Sequence, residues 1–361
     1  MRFLWILLGV VALVSLGVWV AVDLGGRPDV VGAGPVPPPP PPPPVSSLRQ
    51  IVLPTDRANL DPDEPGVFQP TAAGSIASAL YGSVRTTRSG NGLVASFHEG
   101  IDIAPMRRDS RGRPLDEVRV IADGTVVHIN RRSGNSNYGN YVVVTHADPM
   151  GDVYTLYAHL AVVAPELSKG QHLAAGTVLG RMGNTPATII PASRSHLHFE
   201  IGMIANARFA GWFRAQRLTP DHGAFNGMNL QALDPLVFFA AQRESSGFEF
   251  AEFLARVPVA FNLLVPMAAF PNYFKRYPSL WKGERFAGGW VVLACSENGT
   301  ILGGRQASDQ ERQQAARSRR LVFDVDEKAL GRNGCRLIVR QGGVWKLGTK
   351  GERWLEILQY Q

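Results

Sequence analysis

His196 and His198 stand one residue apart in the run Ser195-His196-Leu197-His198-Phe199-Glu200. In an extended strand, residues two apart face the same side. Two imidazoles would then project into one space, where one could hold a metal ion and the other could move protons. A catalytic zinc takes three protein ligands, commonly His, Asp or Glu, and keeps one position open for water. Upstream, Phe97-His98-Glu99-Gly100-Ile101-Asp102 supplies His98 and Asp102, and Gly100 permits a tight backbone between them. His98, Asp102 and either His196 or His198 make a His-His-Asp set. A fourth histidine, His159, follows the strand-like run Val153-Tyr154-Thr155-Leu156-Tyr157. Each fragment alone is a weak signal. Three of them in this order, each on or beside a predicted strand, are a strong one, because unrelated histidines have no reason to complete a ligand set.

The elements that must position these groups are short. Val118-Arg119-Val120-Ile121, residues 124–129, Tyr141-Val142-Val143-Val144-Thr145 and residues 153–157 are rich in β-branched and aromatic residues. Gly, Asn and Asp bound them, as expected of strands. Closely spaced glycines between 170 and 183 mark further reversals. Residues 74–240 therefore read as one mainly β domain, with 203–233 a long loop or short helical piece and Asp234-Pro235-Leu236 opening its last element. Residues 241–361 read as a small accessory domain, α+β or β. It has strands near 289–294 and 335–339 and a polar helix near 308–317, and no chemistry can be assigned to it. The other histidines, His128, His146, His172 and His222, read as surface or structural residues.

Three motifs, His98-Glu99-Gly100-Ile101-Asp102, Tyr157-Ala158-His159-Leu160 and His196-Leu197-His198-Phe199-Glu200, resemble the signatures of the lysostaphin-type, or LytM-like, zinc metallopeptidases. Tyr81-Gly82-Ser83-Val84-Arg85, Ala122-Asp123-Gly124-Thr125-Val126 and Tyr138-Gly139-Asn140-Tyr141-Val142 are similar to flanking pieces of that family, so the likeness spans residues 74–240. The resemblance implies an antiparallel β-sheet core with a metal in an open groove. It implies one zinc ion held by His98, Asp102 and His198, with His159 and His196 as the catalytic, proton-moving histidines. It also implies an endopeptidase acting on the stem peptides and cross-links of bacterial peptidoglycan, with a D,D-cross-link the expected target. Three features depart from the family pattern. Residues 88–97 lack the tyrosine that some members use in oxyanion binding. Residues 185–194 are long and bulky, and residues 106–117 are long and carry four arginines. These two stretches are expected either to shape the groove wall or to be solvated loops. A non-catalytic envelope scaffold, or an activator of other wall hydrolases, is the alternative, and the intact ligand set argues against it.

The N-terminus belongs to none of this. After Met1-Arg2, residues 3–22 form an uncharged run of 20, apolar except for Ser15. That length suits a spanning helix of about 20 residues better than a signal-peptide core of about 7–15. The expectation is a signal anchor over 1–24, with a cleaved signal peptide as the alternative. Arg2 orients the N-terminus to the cytoplasm, which puts the catalytic domain in the periplasm with the chain held in the inner membrane. Residues 25–73 form a linker, stiffened by eight consecutive prolines at 37–44, each adding about 3.1 Å in a polyproline helix. The net charge of +7 is dispersed without a nucleic-acid motif, so no nucleic-acid partner is expected. Envelope proteins are the expected partners of 241–361. The two cysteines, Cys295 and Cys335, suit either one disulfide or two free thiols.

Overall fold

Leu197-His198-Phe199-Glu200-Ile201 alternates apolar and polar side chains, and a strand built from it sends the two sets to opposite faces. In the computed structural model this strand is the hinge of the fold. The structure describes residues 45–89, 92–186, 190–284, 286, 288–315 and 320–361, so the expected anchor at 3–22 and the proline run lie outside the described residues. Among the described residues no helix is long and apolar enough to cross a membrane.

The elements up to the site strand are β1 (Val84–Ser89), β2 (Gly92–Phe97), β3 (Ile101–Ile103), β4 (Glu117–Arg119), β5 (Gly124–Asn130), β6 (Tyr141–His146), β7 (Val153–Ala158), β8 (Val162–Val163), β9 (His172–Leu173), β10 (Val178–Arg181) and β11 (Leu197–Ile204). Then come α1 (Phe209–Ala215), β12 (Leu230–Leu233) and α2 (Pro235–Glu244). The main sheet runs β12-β11-β7-β6-β5-β9, with β3 paired to the start of β11. All its pairings are antiparallel, as the mainly β expectation required. Leu197, Phe199, Ile201 and Met203 enter the principal core. The opposite face carries His198 and Glu200 beside a second cluster that includes Tyr141, Tyr154, Leu156 and Ala158. Every residue of β11 is buried, so both faces of this strand are shielded from water.

Register does the positioning. His198 lies opposite Asp102 on β3 and opposite Ala158 on β7. One residue beyond Ala158 comes His159. Gly100 admits this arrangement for a steric reason: a Cβ there would sit 2.2 Å from the carbonyl oxygen of Phe199. Gly100→Ala should therefore cost at least the ~1–3 kcal/mol of an overpacked core site. Urea denaturation measures this directly, and an unchanged midpoint would refute the close approach.

Residues 45–71 are irregular, as expected, but they are packed rather than loose. Leu48, Leu60, Val67 and Phe68 belong to the principal core. Gln69 N donates to Asp102 O (2.8 Å) and Ala104 N to Val67 O (2.9 Å), which ties this segment to the middle and the C-terminal end of β3. The piece 203–233 contains the one short helix α1, and Asp234 caps α2 by accepting from Leu236 N at 2.9 Å.

The rest of the chain contains α3 (Phe250–Ala255), β13 (Phe261–Met267), α4 (Asn272–Arg276), β14 (Trp281–Lys282), β15 (Gly289–Cys295), β16 (Ile301–Gln306), α5 (Asp309–Ala315), β17 (Leu321–Phe323), β18 (Ile338–Gln341), β19 (Val344–Leu347) and α6 (Thr349–Gln359). It forms its own sheet, β14-β16-β15-β13-β17, with a small cluster of its own at Leu264, Val292 and Ala307, but most of its buried apolar side chains join the principal core. Leu263, Tyr273 and Ile301 share the principal cluster with Met203 and Phe238. Asn298 Nδ2 and Thr300 Oγ1 both donate to Ala232 O on β12, at 2.7 and 3.1 Å. Residues 43–361 accordingly make one compact unit. The strand expected at 335–339 begins three residues later, at Ile338. Cys295 and Cys335 are both free thiols.

Candidate metal centre and active site

Three donor atoms converge at the start of β11. His98 Nε2, Asp102 Oδ1 and His198 Nδ1 form a triangle whose three edges are each 3.1 Å. Among the described residues they are the one group of His, Cys, Asp or Glu side chains arranged to hold a metal ion. The partners on their far sides fix what they offer. His98 Nδ1 donates to Leu80 O (2.9 Å), which leaves Nε2 with a lone pair. His198 Nε2 donates to Glu200 Oε1 (2.9 Å), which commits Nδ1 to the centre. Asp102 Oδ2 accepts from Arg85 Nη2 (2.6 Å), so Oδ1 is the free oxygen.

Three electron-rich atoms this close, all buried, demand a positive charge between them. Without a metal, a proton on His198 meets the demand. Burial opposes that proton, but hydrogen bonds to Asp102 and Glu200 outweigh burial and hold the His198 pKa up to about 9. Burial lowers His98, with Asp102 opposing it. Burial would also raise Asp102, yet the neighbouring histidines hold it well below the usual carboxylate range.

The triangle fits a metal. Tetrahedral zinc with ligands at about 2.0–2.1 Å places donors roughly 3.3–3.4 Å apart, within a few tenths of an ångström of the separations found. Two imidazole nitrogens and one carboxylate oxygen are also a donor set that zinc accepts and that magnesium or calcium would not prefer.

His196 and His159 stand beside this group but are not part of it. His196 Nδ1 donates to Arg194 O (2.7 Å), and its Nε2 lies 3.5 Å from Asp102 Oδ1. The His159 ring is 4.8 Å from that of His196 and 5.6 Å from that of His198, centroid to centroid. His159 adopts a left-handed backbone, φ 64°, which is uncommon outside glycine. Its amide donates to Tyr138 O (2.9 Å), and the next amide, of Leu160, to Asn140 O (3.0 Å). The segment Tyr138-Gly139-Asn140 thus holds the strained turn that aims the ring. His159 Nδ1 is buried with no hydrogen-bond partner. Burial first, then the charges of His196 and His198, keep His159 well below an ordinary histidine pKa, and burial lowers His196 too. Two neutral imidazoles therefore flank the donor triangle.

Residues 96–208 match the model of peptidase family M23. This stretch is a LytM-like M23 peptidase domain. Solved structures are similar to it at low overall superposition. Helicobacter pylori Csd3 is 17% identical over 52% of this chain and 34% of its own, with a TM-score of 0.28. A Ruminococcus gnavus LytM, described as a glycyl-glycine endopeptidase, is 30% identical over 29% and 39%, with a TM-score of 0.23. The catalytic domain of Staphylococcus simulans lysostaphin is 22% identical over 45% and 89%, with a TM-score of 0.27. The chain thus spans about a third of Csd3 and two fifths of that LytM. Among curated proteins none matches it.

Sequence reasoning on the M23 domain assigned no role to two groups that hold the ligands. Glu200 is 1% exposed and accepts from Tyr138 and Tyr154 hydroxyls, both at 3.0 Å, besides His198. Its position two residues after His198 on one strand was the available signal. Arg85, 17 residues before Asp102, stood in a flanking piece of the family likeness but was given no role. Such outer partners typically change metal affinity by about 10–100-fold. Glu200→Gln should weaken metal binding by that factor, measured by competition with a chromogenic chelator. An unchanged affinity would show that Glu200 serves the fold alone.

The long loops also find their place. Asp116 accepts from the amides of Met106 and Arg107, at 2.7 and 3.0 Å. Arg108 donates to Ala192 O (2.8 Å) and Ser195 O (3.3 Å), bracing the approach to His196. His146 is fully buried between Asp123 O and Thr155 Oγ1, a structural histidine.

Proposed function

We propose that the chain is a zinc-dependent endopeptidase that cleaves peptide cross-links of bacterial peptidoglycan, with a D,D-cross-link as its target. The observation that carries this reading is the 3.1 Å triangle of His98, Asp102 and His198 inside the M23-matched stretch. One zinc ion held by these residues would supply Lewis-acid polarisation of the scissile carbonyl and a water acidic enough to react near neutral pH.

The chain's own residues do the rest. His98 and His198 present lone pairs because Leu80 O and Glu200 take their outer protons. Arg85 neutralises and orients the far oxygen of Asp102. His159 and His196, neutral and adjacent, suit proton transfer: one takes a proton from the attacking water, and one delivers a proton to the leaving amine. The buried setting excludes bulk water and strengthens each of these interactions.

Anchoring by residues 3–22, with the M23 domain in the periplasm and 241–361 available to envelope proteins, is part of the same proposal and rests on the sequence. A defined dimeric muropeptide incubated with the zinc-loaded chain should yield monomers, identified by mass spectrometry. An intact dimer after prolonged incubation with a metal-loaded, folded sample would refute the reading. Stimulation of another wall hydrolase that persists in His98→Ala would favour the non-catalytic activator instead.

A further inference from the structure

His159 is aimed by its backbone. Its Nδ1 has no hydrogen-bond partner, so no bond at that atom fixes the ring. Its left-handed φ of 64° is one that a histidine rarely adopts, and such a conformation persists only where the surroundings hold it. Part of the hold comes from residues 138–140, through the bonds that the amides of His159 and Leu160 make to Tyr138 O and Asn140 O. Asn140 Nδ2 adds a bond to Leu160 O at 3.1 Å.

The rest comes from Thr185, the first residue of the long stretch 185–194. Thr185 Oγ1 donates to Leu160 O at 2.8 Å and accepts from Asn140 N at 2.9 Å. One hydroxyl thus bridges the two segments of the turn, its only proton committed to the residue after His159. Thr185 is itself pinned from behind, because its carbonyl oxygen accepts from Gly134 N at 2.9 Å and Ser133 Oγ at 3.3 Å. A Cβ at Gly139 would stand 2.4 Å from that same oxygen, so residues 138–140 lie flush against residue 185. Two residues earlier, Gly183 O accepts from His196 N at 3.1 Å. Residues 183–185 therefore hold the backbone of His196 at one end and the turn of His159 at the other, and the two rings stand 4.8 Å apart.

We propose that Thr185 is a positioning residue for His159. Its hydroxyl locks the left-handed turn, and residues 183–185 thereby set the His159 ring against His196. The catalytic consequence rests on the peptidase reading. The fixing of the ring does not.

Thr185→Val keeps the shape of the side chain and removes the hydroxyl, and Thr185→Ser keeps the hydroxyl. Elemental analysis should find one zinc per chain in both, since neither bond of this hydroxyl reaches the donor triangle. On the dimeric muropeptide, kcat should fall about 10- to 100-fold in Thr185→Val with KM little changed, the scale of a misplacement of about 1 Å. Thr185→Ser should recover most of it. In chains carrying isotope-labelled histidine, the His159 ring signals are identified by their loss in His159→Asn. They should shift or broaden in Thr185→Val and return in Thr185→Ser.

An unaltered chain that leaves the muropeptide intact would refute the peptidase reading, and the ring signals would still decide the positioning. Ring signals unchanged in Thr185→Val would overturn the proposal. So would equal loss of kcat in both variants, or loss of zinc along with kcat in Thr185→Val. One measurement needs no variant: the Asn140 amide of the unaltered chain should be protected from hydrogen exchange. Exchange at the rate of a free amide would show that the Thr185 bond is not made.

Discussion

His198→Ala should purify folded but without metal, and its endopeptidase activity should be undetectable. The replacement leaves His98 and Asp102 as a two-ligand remnant, below the three protein ligands a catalytic zinc needs. It also leaves Glu200 buried without its imidazole partner. Elemental analysis should find one zinc per unaltered chain and almost none in the variant. Retention of a full equivalent of zinc would show that His198 is no ligand.

The same residue sets the pH dependence of metal binding. In the metal-free chain His198 has a pKa of about 9, so at pH 7 the metal must displace one proton from it. Affinity should fall about tenfold per pH unit on going below 9, since the free energy of one displaced proton changes by ~1.4 kcal/mol per unit. Because the folded-state pKa is raised above 6.5, the protonated His198 stabilises the metal-free fold fully below pH 6.5. That contribution is lost as pH rises through about 9. Calorimetry in buffers of different ionisation enthalpy should return one proton released per zinc at pH 7. Zero protons would mean that His198 is already neutral at pH 7 in the metal-free chain.

The second large effect belongs to His159. His159→Asn should lose about 10²–10⁴ in kcat, the usual worth of a positioned proton-transfer group, while keeping a full equivalent of zinc. Asparagine is the informative choice, because it tolerates the left-handed backbone found at this position (φ 64°). The turn held by Tyr138 and Asn140 then survives, and only the imidazole is lost. Burial keeps His159 neutral well below pH 6.5, so its own titration should not form the acid limb of the activity profile. That limb should track loss of metal. A variant with unchanged kcat, or one that loses zinc, would remove His159 from proton transfer.

Alternation along residues 196–200 was enough to place His196 and His198 on one face, and Glu200 with them. The chain order of the three motifs was enough to suggest a ligand set and a β domain. Both follow from local rules: a strand has period two, and glycine permits close backbone approach. Locality also limited the reading. A strand of period two presents both histidines equally, so nothing in residues 195–200 alone could tell ligand from neighbour. Register separates the two geometrically, by setting His198 opposite Asp102 and putting its Nδ1 3.1 Å from both other donors. Arg85 lies in a family-like flanking piece, yet its role was hidden because its contact with Asp102 forms only on folding. The packing of residues 45–71 on the core was equally hidden, since an irregular segment has no periodicity to reveal which face it buries.

The sequence by itself thus determined which residues could do chemistry and which local elements carry them. Only the tertiary structure decided which donor atoms converge, the outer partners that fix each of them, and the joining of residues 241–361 to a common core. Ligand geometry, desolvation and charge coupling depend on distances of a few ångströms between segments up to 100 residues apart, and no local pattern encodes those distances.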